Sequence, residues 1–165
     1  MPSASHSLTE SYDAQPSAVA HARARMAQFA AAGGAAAEQV SAVRLAVSEA
    51  VTNAVVHGYP EHPGRVQVTA ALASGELWIQ VSDDGVGMHS DSEHAGLGLG
   101  LGIIWRTSDH LAIVPRSSGG TEVRMRFDLV AAHAPTVRGA HMPGERQRHR
   151  GIGRRLAMVA SPSRT

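Results

Sequence analysis

The chain has 165 residues, 43% of them hydrophobic, which suits a single domain of roughly 130 residues with one core, plus a tail. It contains no cysteine and no lysine, so disulfides, thiolate chemistry, cysteine metal sites, the GxxxxGK[ST] phosphate loop and lysine nucleophiles or bases are all excluded. The net charge of +1 conceals a split: residues 1–130 carry 8 Arg against 13 Asp and Glu, while residues 131–165 carry 7 Arg against one Glu.

Residues 1–15 read as a flexible, Ser-rich segment with one short strand around Ser7 to Glu10. Pro16 and Ser17 then open a helix that Gly33-Gly34 ends. A second, longer helical run goes from Ala36 to about Gly58, where Gly58-Tyr59-Pro60 stops it. Arg65 to Leu72 and Glu76 to Ser82 are rich in Val, Ile and Trp and flank Ser74-Gly75, the pattern of a hairpin. Residues 83–100 read as a Gly- and Asp-rich loop region, and Ile103 to Ser108 as a short helix. Leu111 to Val114 and Thr121 to Leu129 give a second hairpin around Gly119-Gly120. Strands in adjacent pairs, separated by helices, predict an α+β two-layer sandwich rather than a doubly wound sheet. The expected organisation is a flexible segment 1–15, a domain 16–130 and a basic, disordered tail 131–165, whose Pro, Gly and Arg content disfavours packing. The tail has no aromatic residue for base stacking, so direct nucleic-acid binding is not expected. No run of 18 apolar residues and no apolar leader occur, which places the expectation on a cytoplasmic protein without a membrane span.

The second helix carries the first chemical signal. At about 100° per residue, Val40, Val47, Val51 and Ala54 fall opposite Glu49, while Ala42, Leu45, Asn53 and Val56 fall within about 40° of it. Glu49 and Asn53, one turn apart, are thus expected within an apolar surface, where an unpaired charge is costly. The second signal is Asp83-Asp84-Gly85-Val86-Gly87 after a strand: glycines at alternate positions let backbone approach a flat ligand, and a carboxylate can accept a hydrogen bond from an exocyclic amine such as that of adenine. By itself such a run is usually a turn. The third is Gly96-Leu97-Gly98-Leu99-Gly100-Leu101-Gly102, where glycines at a helix start gather N–H groups that hold phosphates without lysine. Gly119-Gly120-Thr121 is the fourth, and alone it is a hairpin turn.

In this order on these elements, Ser48-Glu49-Ala50-Val51-Thr52-Asn53-Ala54-Val55-Val56-His57-Gly58-Tyr59, then DxGxG, then GxGxxI, then GT, the sequence resembles the ATP site of the anti-sigma factor serine/threonine kinases. These belong to the GHKL superfamily with the histidine kinases and gyrase-type ATPases. The resemblance spans approximately Ser7 to Leu129 and implies a Bergerat-type fold, a mixed sheet covered on one face by helices. It implies that Asn53 is the Mg2+ ligand, Glu49 the general base toward a serine or threonine hydroxyl, and Asp83 the acid that reads adenine. It also implies Gly85 and Gly87 beneath the base, Gly98 and Gly100 in the phosphate-facing loop, and the Thr121 hydroxyl supporting Asp83. His57 lies on the motif and is expected to pack rather than react. The implied cofactors are ATP and Mg2+. The implied partners are a sigma factor and an anti-sigma antagonist protein, with a homodimer left open. The segment Met88 to Leu97 departs from the family pattern: it is short, carries Asp91 and Glu93 and has no arginine. That offers little to phosphate charge, so the alternative is a nucleotide-responsive partner-binding module without phosphoryl transfer.

Overall fold

The computed structural model describes residues 6–59, 63–87, 99–129 and 155–158. Its elements run β1 (His6–Asp13), α1 (Pro16–Ala32), α2 (Ala37–His57), β2 (Arg65–Ala73), β3 (Glu76–Asp83), α3 (Leu99–Thr107), β4 (His110–Pro115), β5 (Thr121–Asp128) and β6 (Arg155–Met158). The strands form one sheet in the order β1-β2-β3-β5-β4-β6. Every neighbouring pair is antiparallel except β4 and β6, which run parallel, so the sheet is mixed.

Local chemistry explains most boundaries. Pro16 supplies the first turn of α1, where a missing N–H costs nothing. At the start of α2 the Gln39 side chain accepts a hydrogen bond from the Ala36 N–H at 3.0 Å, occupying a donor the helix leaves free. Between β2 and β3, Ser74 and Gly75 both take positive φ, 53° and 80°, the two-residue turn whose twist matches that of the flanking strands.

Period-two alternation puts Val66, Val68 and Ala70 of β2, Leu77, Ile79 and Val81 of β3, Leu111 and Ile113 of β4, and Val123, Met125 and Phe127 of β5 on one face. All are buried, against Ala18, Ala22, Met26 and Ala30 of α1, Val43, Val47 and Val51 of α2, and Ile104 of α3. The small side chains of α1 and α2 let these helices pack side by side over the sheet. The result is the two-layer α+β arrangement with helices on a single face. The other face carries Trp78, Gln80, Arg124 and Arg126.

Three elements differ from the sequence reading. β1 is twice as long as the strand expected at Ser7 to Glu10: all eight residues pair with β2, and Leu8 and Tyr12 pack against the core. α3 begins at Leu99, so Gly100 and Gly102, expected in a loop, lie in its first turn. Within the basic tail, Arg155–Met158 form β6 along β4. The other residues of the tail, and the segment Met88 to Leu97, lie outside the described residues.

Candidate functional site

Asp83 ends β3, next to the start of β5, in the middle of the sheet. Its residue is only 6% exposed. Three segments converge there. The Gly85 N–H donates to Asp83 Oδ1 at 3.0 Å, and Arg116 Nη1 donates to the Asp83 carbonyl at 2.6 Å. The Thr121 backbone N–H also reaches the carboxylate, so it is the main chain of Thr121 that meets Asp83 in place of the hydroxyl the resemblance implied. Burial pushes the Asp83 carboxyl above the usual carboxylate range; the two N–H donors and the Arg116 guanidinium oppose this, and Asp84 adds to it.

At Gly85 and Gly120 the surrounding backbone leaves no room for a side chain. A Cβ on Gly85 would lie 2.0 Å from the Gly58 carbonyl oxygen, which accepts a hydrogen bond from Val86 N–H at 2.9 Å. A Cβ on Gly120, whose φ is 85°, would lie 2.1 Å from the Asp83 carbonyl oxygen. Gly87 faces the Gly120 carbonyl, 3.4 Å from where its Cβ would be. The aspartate loop is therefore clamped between the end of α2 and the β4–β5 turn.

Glu49 and Asn53 lie on the face of α2 that meets α3. A Cβ on Gly100 would sit 2.8 Å from Glu49 Oε2 and 3.5 Å from both amide atoms of Asn53. The first turn of α3 therefore packs directly on these two side chains, and the first N–H groups of a helix have no intrahelical partner. The sequence reading set Glu49 and Asn53 in an apolar surface; both are half-buried, on a face flanked by Leu45 and Val56, which are 44% and 59% exposed. The buried stripe is Val43, Ala46, Val47, Ala50, Val51 and Ala54. His57, expected to pack, is exposed at the end of the helix. Gly98 lies outside the described residues.

Asp83, Gly85, Gly87 and Thr121 thus gather at the end of α2, and Glu49, Asn53 and Gly100 gather where the same helix meets α3. The donors suit a purine nucleotide with a divalent cation: a buried carboxylate flanked by glycines for the base, free N–H groups at a helix start for phosphate, and an amide oxygen for a hard cation that keeps water and phosphate as its other ligands.

The sequence reading assigned no role to three further residues at this end. Tyr59 and Asp84 form a cluster with Arg65, and Arg116 reaches over from the β4–β5 turn. Tyr59 closes the α2 motif and Asp84 lies within the aspartate run, so both stood in plain view. Arg116 has no local signal, because its reach depends on the hairpin that carries it.

Residues 12–127 match the family model described as histidine kinase-like ATPase domain. The anti-sigma F factor of Clostridium acetobutylicum is 31% identical over 118 residues, 64% of this chain and 81% of the relative. That of Heyndrickxia coagulans is 34% identical over 127 residues, 68% of this chain and 86% of the relative. Among solved structures, the RsbU and RsbW domains of a Mycobacterium tuberculosis protein superpose with a TM-score of 0.61 at 28% identity. The match covers 75% of this chain and 32% of that longer one. No helix among the described residues is long and apolar enough to cross a membrane.

Proposed function

Because this chain belongs to the histidine kinase-like ATPase domain family, we propose that it is an ATP-binding anti-sigma factor with serine/threonine protein kinase activity toward an anti-sigma antagonist protein. The observation that carries the reading is that one helix, α2, meets the buried Asp83 carboxylate at its end and holds Glu49 and Asn53 against the first turn of α3. The anti-sigma F factors among its relatives support the choice of sigma factor and antagonist as partners.

In this reading Asp83 accepts a hydrogen bond from the adenine amino group, and the N–H groups opening α3 face the phosphates. Asn53 Oδ1 would hold Mg2+, which when bound neutralises phosphate charge. Glu49 takes the proton from the incoming serine or threonine hydroxyl as that oxygen bonds to the γ-phosphorus and the bond from this phosphorus to the β–γ bridging oxygen breaks, releasing ADP. The test is transfer of labelled γ-phosphate to a serine of a candidate antagonist. The reading expects transfer by the wild type and its loss in Glu49→Ala; no transfer, or undiminished transfer by the variant, rejects kinase activity. The arginine-free segment Met88 to Leu97 favours a second reading, an ATP-responsive module that holds its partner without turnover. Nucleotide-dependent partner binding without transfer would select it.

A further inference from the structure

Tyr59 follows Gly58 at the end of α2, and its hydroxyl lies within hydrogen-bond reach of two acceptors, the Arg65 carbonyl at the head of β2 and the Asp84 carboxylate just past β3. The same oxygen accepts a hydrogen bond from the Asp84 N–H at 3.0 Å, and Arg65 N–H donates to Asp84 Oδ1 at 3.4 Å. One phenol oxygen therefore ties together the helix that carries Asn53, the head of β2 and the loop that begins at Asp83. The ring is seated against Gly64, where a Cβ would fall 1.7 Å from Tyr59 Cε1. Burial, then the neighbouring Asp84 carboxylate, push the hydroxyl up to about 12, so it remains a donor at neutral pH. The bond from Tyr59 in turn holds Asp84 below the usual carboxylate range.

Building on the nucleotide reading above, we propose that Tyr59 is a positioning residue for purine selection: its bonds to Asp84 hold the adjacent Asp83 carboxylate at a fixed place relative to α2. Asp83 is already held by Gly85 and Thr121 from its own side of the pocket. Beside the backbone bond from Val86 N–H to the Gly58 carbonyl, Tyr59 supplies the side-chain link from the Asp83-Asp84 pair to the end of the helix that carries Asn53. Without it the carboxylate and the amide of Asn53 can shift relative to each other, and a nucleotide that engages both loses the fit at its base.

The experiment compares ATP with inosine triphosphate, which shares the sugar and triphosphate but presents a carbonyl oxygen where adenine presents its amino group. Their affinity ratio reads the edge of the purine that faces Asp83, where the amino group is replaced by a carbonyl and N1 carries a proton. Calorimetry on the full chain should give a clear ATP preference in the wild type and a ratio reduced roughly tenfold in Tyr59→Phe, which keeps the ring against Gly64. Asp84→Asn, which retains an oxygen acceptor for the hydroxyl, should keep the wild-type ratio, and Asp84→Ala should lose it. A purely structural role would weaken both nucleotides together. An unchanged ratio in Tyr59→Phe overturns the proposal, and should that variant not fold, an unchanged ratio in Asp84→Ala does so. A wild type that binds both nucleotides equally removes the purine reading on which the proposal rests.

Discussion

Gly85 is pressed against Gly58 so closely that the carbonyl oxygen of Gly58 occupies the space where a Cβ on Gly85 would begin, 2.0 Å away. Both partners are backbone, and neither can swing aside. Gly85→Ala must therefore push the aspartate loop off the end of α2, at a cost on the order of 1–3 kcal/mol. The expected outcome is a melting temperature lower by several degrees and ATP affinity lower by at least tenfold, checked by calorimetry of unfolding and of binding. Wild-type values in both would mean that the loop does not depend on this contact.

Asp83→Asn should separate stability from binding. Burial raises the Asp83 carboxyl in the folded chain, so the folded state holds its proton more tightly than the unfolded state does. Stability from this group is therefore full below the ordinary value of 3.8 and fades as pH rises through the raised folded value. At pH 7 the ligand-free wild type carries a desolvated carboxylate, and the neutral amide relieves it. Thermal unfolding of Asp83→Asn should shift upward by a few degrees at pH 7 and lose that part of its acid-side pH dependence.

In the proposed function the same carboxylate sets base preference. It complements the amino group of adenine and opposes the carbonyl oxygen of guanine, so ATP should bind more tightly than GTP by about 1–3 kcal/mol. Competition calorimetry measures this directly, and equal affinities contradict the role given to Asp83.

Gly100→Ala acts at the other end of the site. The added Cβ would meet Glu49 Oε2 at 2.8 Å, the far end of a side chain that can move, while Asn53 stays 3.5 Å away. Helix α3 should gain about 0.5–1 kcal/mol from replacing a helical glycine. The displaced Glu49 should lower the rate of phosphoryl transfer by about tenfold, with ATP affinity nearly unchanged. A fall in affinity equal to the fall in rate would place Glu49 among the nucleotide's binding contacts.

Alkaline unfolding reads the Tyr59 hydroxyl. Its value is pushed up to about 12, so the stability it contributes is full below the ordinary value of 10.0 and is lost as pH rises through about 12. Tyr59→Phe should be less stable than the wild type at pH 8, with the difference closing toward pH 12. A gap that stays constant across this range would mean that the ring alone matters.

How far the sequence revealed this molecule depended on whether the deciding forces were local. The bounds of α2 were legible because Gly58-Tyr59-Pro60 stops a helix, and the β2–β3 hairpin because Ser74-Gly75 permits its turn. The exposed face of α2 was not. Valine, leucine and alanine surround that helix, and periodicity cannot say which side a neighbour covers; contact with the first turn of α3 left Leu45 and Val56 exposed beside Glu49 and Asn53. The start of α3 was misjudged because glycine disfavours helix locally, while Gly100 stands in a first turn that packs on Glu49 and Asn53 of α2. β1 alternates weakly, with Glu10 standing between Leu8 and Tyr12, and the ion pair from Arg25 to Glu10 accounts for that break only in three dimensions. Among the candidate site residues, Asp83, Glu49 and Asn53 were legible from residue type and spacing. Tyr59 stood in the motif, but its bond to Asp84 was not legible, and Arg116 gave no local signal, because these bonds join segments far apart in the chain.

Whether one pocket joins a purine-reading acid to a metal-holding amide is decided by titrating ATP into the wild type and Asn53→Ala, each with magnesium and with the metal chelated. The wild type is expected to bind ATP at least tenfold more tightly with magnesium, and Asn53→Ala to lose most of that dependence while still favouring ATP over GTP. A wild type that does not bind ATP, or an Asn53→Ala variant that keeps its full response to magnesium, would contradict such a pocket.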